Sequence, residues 1–193
     1  MLAEALGALA VASGLVWPVV RGRRLLLGIQ ALSSLLWASH YAAIGPDAYT
    51  GAVMCTLVVI QALTASFRPA RWAGAIFWLT IPVMLAFVAA TWAGPQSAGA
   101  AFGLFVSALG RWETNPIRMR LLFILCIAGW SSHNMIVGSL FALTSDTLTV
   151  LTNSIGIYRE RRAGGSIREA LRPIYRAVRK FTLRPSAPKV NPA

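Results

Sequence analysis

Two nine-residue stretches contain the only histidines of this chain, and each places its histidine in the same setting. Residues 37–45 read WASHYAAIG and residues 130–138 read WSSHNMIVG, so Trp, Ser, His and Gly recur at an offset of 93 positions. The equivalent histidines are His40 and His133, each one helical turn after a tryptophan. Imidazole and indole side chains suit hydrogen bonding and stacking against a small polar ring. We therefore predict that both stretches line a ligand site.

Asp146 is the only acidic residue that lies well inside an apolar segment. Asp146, Thr149 and Asn153 follow one another at i, i+3 and i+7, so on a helix they form one polar stripe. An ionisable residue inside a membrane span indicates a functional site and needs a partner. By helical rise, His133 and Asp146 both lie about 8 Å from the turn between their helices, which makes them candidate partners. Alternatively, the stripe serves only to hydrogen-bond one helix to another.

Trp37 and Trp130 differ from the tryptophans near segment ends, which are typical of membrane interfaces. Both lie about 12 Å inward from the following turn by helical rise. Such positions suit flat walls of a binding pocket in the outer half of the membrane. Tight packing between helices is the alternative explanation.

The composition indicates an all-α integral membrane protein, because 56% of the residues are apolar and only 12% are charged. Soluble domains carry about 25% charged residues. The apolar segments lie at roughly 3–20, 25–44, 48–66, 72–93, 97–110, 121–138 and 140–157. All but the fifth have the length of a bilayer span. The fifth counts as a span if Arg111 and Trp112 extend to the interface.

The basic residues set the predicted topology. All 18 Lys and Arg residues lie at residues 21–24, 68–71, 111–120 and from 159 onward, in alternate connections. The positive-inside rule then places the N-terminus outside and the C-terminus in the cytoplasm, with seven spans between them.

The offset of 93 maps helices one, two and three onto helices five, six and seven. Because three spans reverse direction, two parallel triplets need a linking helix, which the fourth segment with Pro82 supplies. This 3+1+3 layout of parallel repeats is the one found in SWEET transporters. The predicted divisions are a transmembrane domain at 1–158, with repeat one at 3–66, a linking helix at 72–93 and repeat two at 97–158, and a cytoplasmic tail at 159–193.

The run from Trp130 to Arg159 resembles the YgjV-type family of bacterial inner-membrane proteins. That family shows Trp-x-x-His-Asn, then Gly-Ser, an acidic residue, an Asn and a closing Arg. Here these positions correspond to Trp130, His133, Asn134, Gly138, Ser139, Asp146, Asn153 and Arg159, and the first-repeat motif corresponds to His40, Tyr41 and Gly45. The chain departs from the family in the third helix, where Thr56 and Gln61 stand near the family's Asn and Arg. The resemblance implies a multi-pass protein of the bacterial inner membrane.

The tail predicts an amphipathic helix over about 166–182. Ser166 and Glu169 have the spacing of a capping box, and Pro173 should kink the helix. Apolar residues form one face with basic residues around it, a pattern typical of helices that lie on anionic lipid headgroups. A solvated or protein-bound tail is the alternative. The apolar set is Ile167, Leu171, Ile174, Val178 and Phe181, and the basic set is Arg168, Arg172, Arg176, Arg179 and Lys180.

These features favour a small transporter or facilitator that binds a small polar metabolite between the two triplets. They predict neither enzymatic activity nor a metal, cofactor or nucleic-acid partner. The alternatives are a non-transporting scaffold or sensor, a bis-histidine haem protein with His40 and His133 as ligands, and a membrane metalloenzyme, for which ligands are few. The predicted binding residues are Trp37, His40, Tyr41, Trp130, His133, Asn134, Asp146 and Asn153.

Overall fold

The structure is a computed structural model that describes residues 2–16, 20 and 22–182, apart from the side chains of Ile174 and residues 177–182. Within these residues, every regular element is helical. The α-helices are α1 Leu2–Val16, α2 Arg23–Ile44, α3 Tyr49–Ser66, α4 Arg71–Ala90, α5 Pro95–Trp112, α6 Pro116–Ile136, α7 Leu140–Arg162 and α8 Ile167–Thr182, with a 3-10 turn, Pro46–Ala48, before α3. The expected all-α class is confirmed.

Three of the described helices are long and apolar enough to cross a membrane by length and composition alone: α3 with its preceding turn, α4 and α6. Helices α2, α5 and α7 carry more polar residues along their length. Many of these residues are buried rather than exposed, among them Ser33, Ser107 and Asp146. Part of the polar surface that lowers the hydropathy of these three helices therefore faces the interior of the bundle.

Six helices pack in a closed ring. Helix α1 contacts α2 and α7, α2 contacts α3, α3 contacts α5, α5 contacts α6, and α6 contacts α7. Helix α4 lies outside this ring against α3 and α5. Its outward side chains, such as Trp78, Leu79 and Leu85, are exposed and apolar, as a lipid-facing surface requires.

Helices α5 and α6 approach each other closely at a crossing of glycines. A Cβ atom at Gly129 would lie 2.6 Å from the carbonyl oxygen of Gly99 and 2.7 Å from the backbone nitrogen of Gly103. Small residues of this kind allow backbones to approach closely in membranes, where packing rather than the hydrophobic effect drives association. Helices α5 and α6 therefore pack as a tight pair.

The connection between α5 and α6 is stabilised by two polar side chains. Asn115 caps α6 by accepting hydrogen bonds from the backbone N–H groups of Ile117, at 3.1 Å, and Arg118, at 3.0 Å. Glu113 accepts from the N–H groups of Thr114 and Asn115 and pairs with Arg118 at 2.9 Å. Partial burial opposes ionisation of Glu113, but these hydrogen bonds and the Arg118 charge outweigh it and hold its pKa below the usual value.

Helix α8 follows α7 after the turn at residues 163–166 and begins against α6. Ser166 accepts a hydrogen bond from the backbone N–H of Glu169 at 3.4 Å, and Ala170 is buried. Leu171 is exposed, as are Arg168, Arg172 and Arg176. The side chains of Val178, Arg179, Lys180 and Phe181, and residues 183–193, lie outside the described residues.

Candidate functional site

A cavity of about 120 Å³ lies inside the ring of helices. All six ring helices contribute side chains to its wall, whereas α4 contributes none. The wall is unusually polar for a membrane interior and contains an arginine, an aspartate, an asparagine and a glutamine. Such residues are costly in a bilayer unless they face a cavity or one another. These polar side chains make the cavity the candidate functional site of the bundle.

One end of the cavity is built by a chain of hydrogen bonds that links three ring helices. The Tyr41 hydroxyl on α2 donates to Oδ1 of Asn134 on α6 at 2.6 Å. The Nδ2 of Asn134 donates to Oδ2 of Asp146 on α7 at 2.9 Å, and the Ser131 hydroxyl donates to the same oxygen at 2.9 Å. These bonds hold the Asp146 carboxylate in a fixed orientation at the cavity wall.

Aromatic rings form the wall beside this chain. The rings of Tyr41 and Trp130 stack with centroids 6.3 Å apart and planes inclined by 11°. The Trp37 ring also lies near the Tyr41 ring, with centroids 6.0 Å apart and planes inclined by 31°. All three rings line the cavity, as the predicted role of the two tryptophans requires.

Arg111 on α5 occupies the wall of the same cavity and is only 1% exposed. Its Nε and Nη2 donate to Oε1 of Gln61 on α3 at 3.2 and 2.6 Å, and Nη2 also donates to the Ser107 hydroxyl at 2.8 Å. Gln61 is itself held by a hydrogen bond from its Nε2 to Thr80 on α4 at 2.8 Å. Within the described part of the chain, Arg111 forms no ion pair. A guanidinium cannot lose its proton in a protein, so a positive charge stands at the cavity wall.

The two histidines lie outside the cavity wall and hold helices together. His40 Nδ1 donates to the carbonyl of Ala3 at 2.7 Å, since a carbonyl oxygen can only accept, and its Nε2 meets the Ser139 hydroxyl at 2.8 Å. His133 Nδ1 donates in the same way to the carbonyl of Gln96 at 2.9 Å. In this structure His40 therefore fastens α2 to α1, and His133 fastens α6 to α5.

The expected partnership of His133 with Asp146 is wrong. Asp146 is bonded by Asn134 and Ser131 instead, because α6 turns Asn134 toward α7 and His133 toward α5. His133 is fully buried, and its Nε2 has no partner among the described residues. A Cβ atom at Gly51 would lie only 2.5 Å from that nitrogen, so α3 closes this side of the ring.

Asn153 is also fully buried but does not line the cavity. Its Nδ2 donates to the carbonyl of Thr149, one turn earlier on α7, at 2.9 Å. Of the predicted binding residues, the structure thus brings five together around the cavity and places three outside its wall. The five are Trp37, Tyr41, Trp130, Asn134 and Asp146; the three are His40, His133 and Asn153.

Sequence reasoning missed the role of Arg111, which it placed at the membrane interface. The guanidinium instead lies back along α5 toward Ser107, and Gln61 meets it from α3. The available signal was the serine four residues before the arginine, which stands on the same helical face. Gln30 was likewise given no role, yet it lines the cavity and is 6% exposed.

Comparison with protein-family models assigns the chain to a family. A family model, Imp-YgjV, described as a bacterial inner membrane protein, matches residues 1–163. A search of curated proteins and a search of solved structures each returned no match. The matched range takes in all seven helices from α1 to α7 and therefore the whole cavity wall.

Proposed function

The chain belongs to the Imp-YgjV family of bacterial inner membrane proteins, and on that premise we propose that it is a small transporter or facilitator for a small polar metabolite. The resemblance noted in the sequence is thus confirmed, together with the location in the bacterial inner membrane. The proposed ligand site is the cavity inside the helix ring. The single observation that carries the proposal is the pair of opposite charges, Arg111 and Asp146, on the wall of one cavity within the membrane.

The proposal includes seven spans in a 3+1+3 arrangement of parallel triplets. The ring contacts support it, because α1 with α2 corresponds to α5 with α6, and α3 with α5 corresponds to α7 with α1. The hydrogen bonds of the histidines support it too. His40 bonds to Ala3 and His133 to Gln96, and both donors and both acceptors differ by 93 positions. Under this arrangement the cavity lies between the triplets, where transporters of repeated helix units bind their substrates.

Five of the predicted residues are proposed to contact the ligand directly. Trp37 and Trp130 supply apolar walls, while Tyr41, Asn134 and Asp146 supply hydrogen-bonding groups. His40 and His133 are proposed to act indirectly, by fixing α1 against α2 and α5 against α6. Asn153 is proposed to support α7 itself, because its amide donates to a carbonyl of its own helix.

Transport can be tested in proteoliposomes with labelled sugars, nucleosides, vitamins and amino acids. We expect protein-dependent uptake of one class, and Asp146→Asn should reduce it by about tenfold or more, because one charge-assisted interaction with the ligand is lost. The matched control is Asp47→Asn, the same chemical change at an exposed residue beside α3. Its uptake should equal that of the wild type.

The outcomes separate the proposed function from a structural role. Absence of uptake for every class, or full uptake by a folded Asp146→Asn protein, would reject transport through this cavity. A melting temperature should be measured on each variant. If Asp146→Asn greatly lowers stability but leaves ligand affinity unchanged, Asp146 is a helix-packing residue. The scaffold or sensor hypothesis would then remain.

The tail is proposed to bind anionic lipid headgroups through the basic side of α8. Arg168, Arg172 and Arg176 are exposed on this helix, and each basic residue near an anionic surface contributes about 1 kcal/mol. Replacing Arg172, Arg176 and Arg179 with Glu should speed proteolysis of the tail in anionic vesicles. The wild-type protein in neutral vesicles is the control, and equal protection in all three samples would show that the tail docks on protein instead.

A further inference from the structure

Three polar groups on the cavity wall have unused hydrogen-bonding capacity. Gln30 is 94% buried, and its Oε1 has no hydrogen-bond partner among the described residues. The three bonds of Arg111 to other described residues use Nε and Nη2 and leave Nη1 free to donate. Both bonds that Asp146 accepts from the described side chains go to Oδ2, and none goes to Oδ1. A ligand group that meets these atoms would satisfy them, and at Gln30 Oε1 it would remove a buried, unsatisfied acceptor.

The signs of the charges narrow the class of ligand. An anion would satisfy Arg111 but would be repelled by the Asp146 carboxylate in the same cavity. A cation would satisfy Asp146 but would meet the guanidinium. A molecule that carries one carboxylate and one ammonium group satisfies both residues and adds no net charge to the membrane interior, where an uncompensated charge is costly.

The positions of the two residues set the approximate length of such a ligand. By helical rise, Arg111 lies about 25 Å from the N-terminal end of α5, and Asp146 lies about 10 Å from the N-terminal end of α7. Because α5 and α7 run in the same direction, their Cα atoms are about 15 Å apart along the bundle. The Arg111 side chain bends back toward Ser107 and shortens this separation. Because both residues line one cavity of about 120 Å³, a ligand that reaches both is a short molecule with its charges at opposite ends.

We propose that the cavity binds a small zwitterion, with its carboxylate on Arg111 and its ammonium group on Asp146. Gln30 Oε1 accepts a further N–H of the ligand, and the Tyr41–Trp130 stack flanks its carbon chain. The cavity is large enough to hold several waters when it is empty of ligand, and these would be displaced on binding. This inference rests on the proposed function only in placing the ligand in this cavity.

The test measures binding of matched probes to the purified full-length protein in nanodiscs. The zwitterionic probes are β-alanine and γ-aminobutyrate. Pentanoate replaces the ammonium group of γ-aminobutyrate by a methyl group, and 4-methylpentylamine replaces its carboxylate by an isopropyl group. We expect γ-aminobutyrate to bind about 10- to 100-fold more tightly than either analogue, since each analogue loses one charge-assisted contact.

Two variants should each abolish a different preference for the zwitterion. A residue with only a structural role would instead weaken the binding of all probes alike. Asp146→Asn should abolish the preference over pentanoate, and Arg111→Gln the preference over 4-methylpentylamine. Arg111→Lys retains the charge and should preserve both preferences. Arg71→Gln, at the exposed start of α4, is the matched control and should bind like the wild type.

The wild-type comparison does not depend on any variant folding. Equal affinity for γ-aminobutyrate and either analogue, or binding of none of the probes, would overturn the inference. Uptake of a sugar or nucleoside without zwitterion binding would overturn it while leaving the proposed function intact. Zwitterion binding without uptake would support the site and reject transport.

Discussion

At the scale of single residues, this protein accommodates a buried arginine without an acidic partner among the described residues. The amide oxygen of Gln61 and the hydroxyl of Ser107 supply the acceptors, and Thr80 orients Gln61 from the side of α4. Neutral acceptors satisfy the donors of a guanidinium but leave its charge available. That distinction is why Arg111 can be both well ordered and ready to bind an anionic group.

The hydrogen bond from Tyr41 to Asn134 should contribute measurably to stability. Tyr41→Phe removes the donor and leaves the buried amide oxygen of Asn134 unsatisfied, at a cost of about 1–3 kcal/mol. The measurement is the free energy of unfolding in detergent. Tyr49→Phe is the control, because Tyr49 is 46% exposed at the start of α3 and should be neutral. A neutral Tyr41→Phe variant would show that water replaces the hydroxyl.

At the scale of helices, the pairing of α5 with α6 depends on the absence of side chains at the crossing. Gly129→Ala would place a methyl group against the backbone of α5, and we expect a loss of about 1–3 kcal/mol from overpacking. Gly28→Ala in α2 is the matched control, since a Cβ there meets nothing within 4 Å. In a helix this change should be neutral or stabilise by up to about 1 kcal/mol. Equal stability of the two variants would contradict the close crossing.

The sequence predicted the helices well but not the rotation of each helix about its own axis. Apolar length and turn residues mark where a span begins and ends, so most segments from the second onward agree with the helices within a few residues. Helix α1 is described from Leu2 to Val16. Residues 17–19 and 21 lie outside the described part. In lipid, both faces of a helix are apolar, and no strong periodicity tells which face meets its neighbours. For this reason Asp146 was correctly placed in an interior helix but was assigned His133 in place of Asn134.

The unknown rotation of each helix also explains which cavity residues could be predicted and which could not. Trp37, Tyr41, Trp130, Asn134 and Asp146 could be selected because their types are unusual in a span, and all line the cavity. Arg111 could not, because an arginine near the end of a segment usually extends to the interface. Only the packing of α3 against α5 shows that Gln61 reaches it.

At the scale of the whole molecule, the proposed topology places the C-terminus in the cytoplasm and the connection between α4 and α5 outside. Reporter enzymes that work on only one side of the membrane test both positions. A cytoplasmic reporter after Ala193 should be active, and the same reporter inserted between Ala93 and Gly94 should be inactive. The alternate loop charges are the physical reason, since Lys and Arg are retained in the cytoplasm. A periplasmic C-terminus would contradict the proposed orientation, and with an outside α4–α5 connection as well it would exclude an odd number of spans after that connection.

Under the proposed arrangement of two related triplets, the bond between Tyr41 and Asn134 makes the two triplets unequal. These residues are 93 positions apart and hold equivalent positions in the two WxSH stretches. Two identical halves would place the same residue type at both positions. The chain from the Tyr41 hydroxyl through Asn134 to Asp146 runs in one sense only, from donor to acceptor. A dimer of identical triplets would carry a second, opposed copy of any such chain. In the proposed arrangement, fusion of the triplets into one polypeptide therefore gives the cavity a polarity, so the two ends of the proposed ligand would meet different groups.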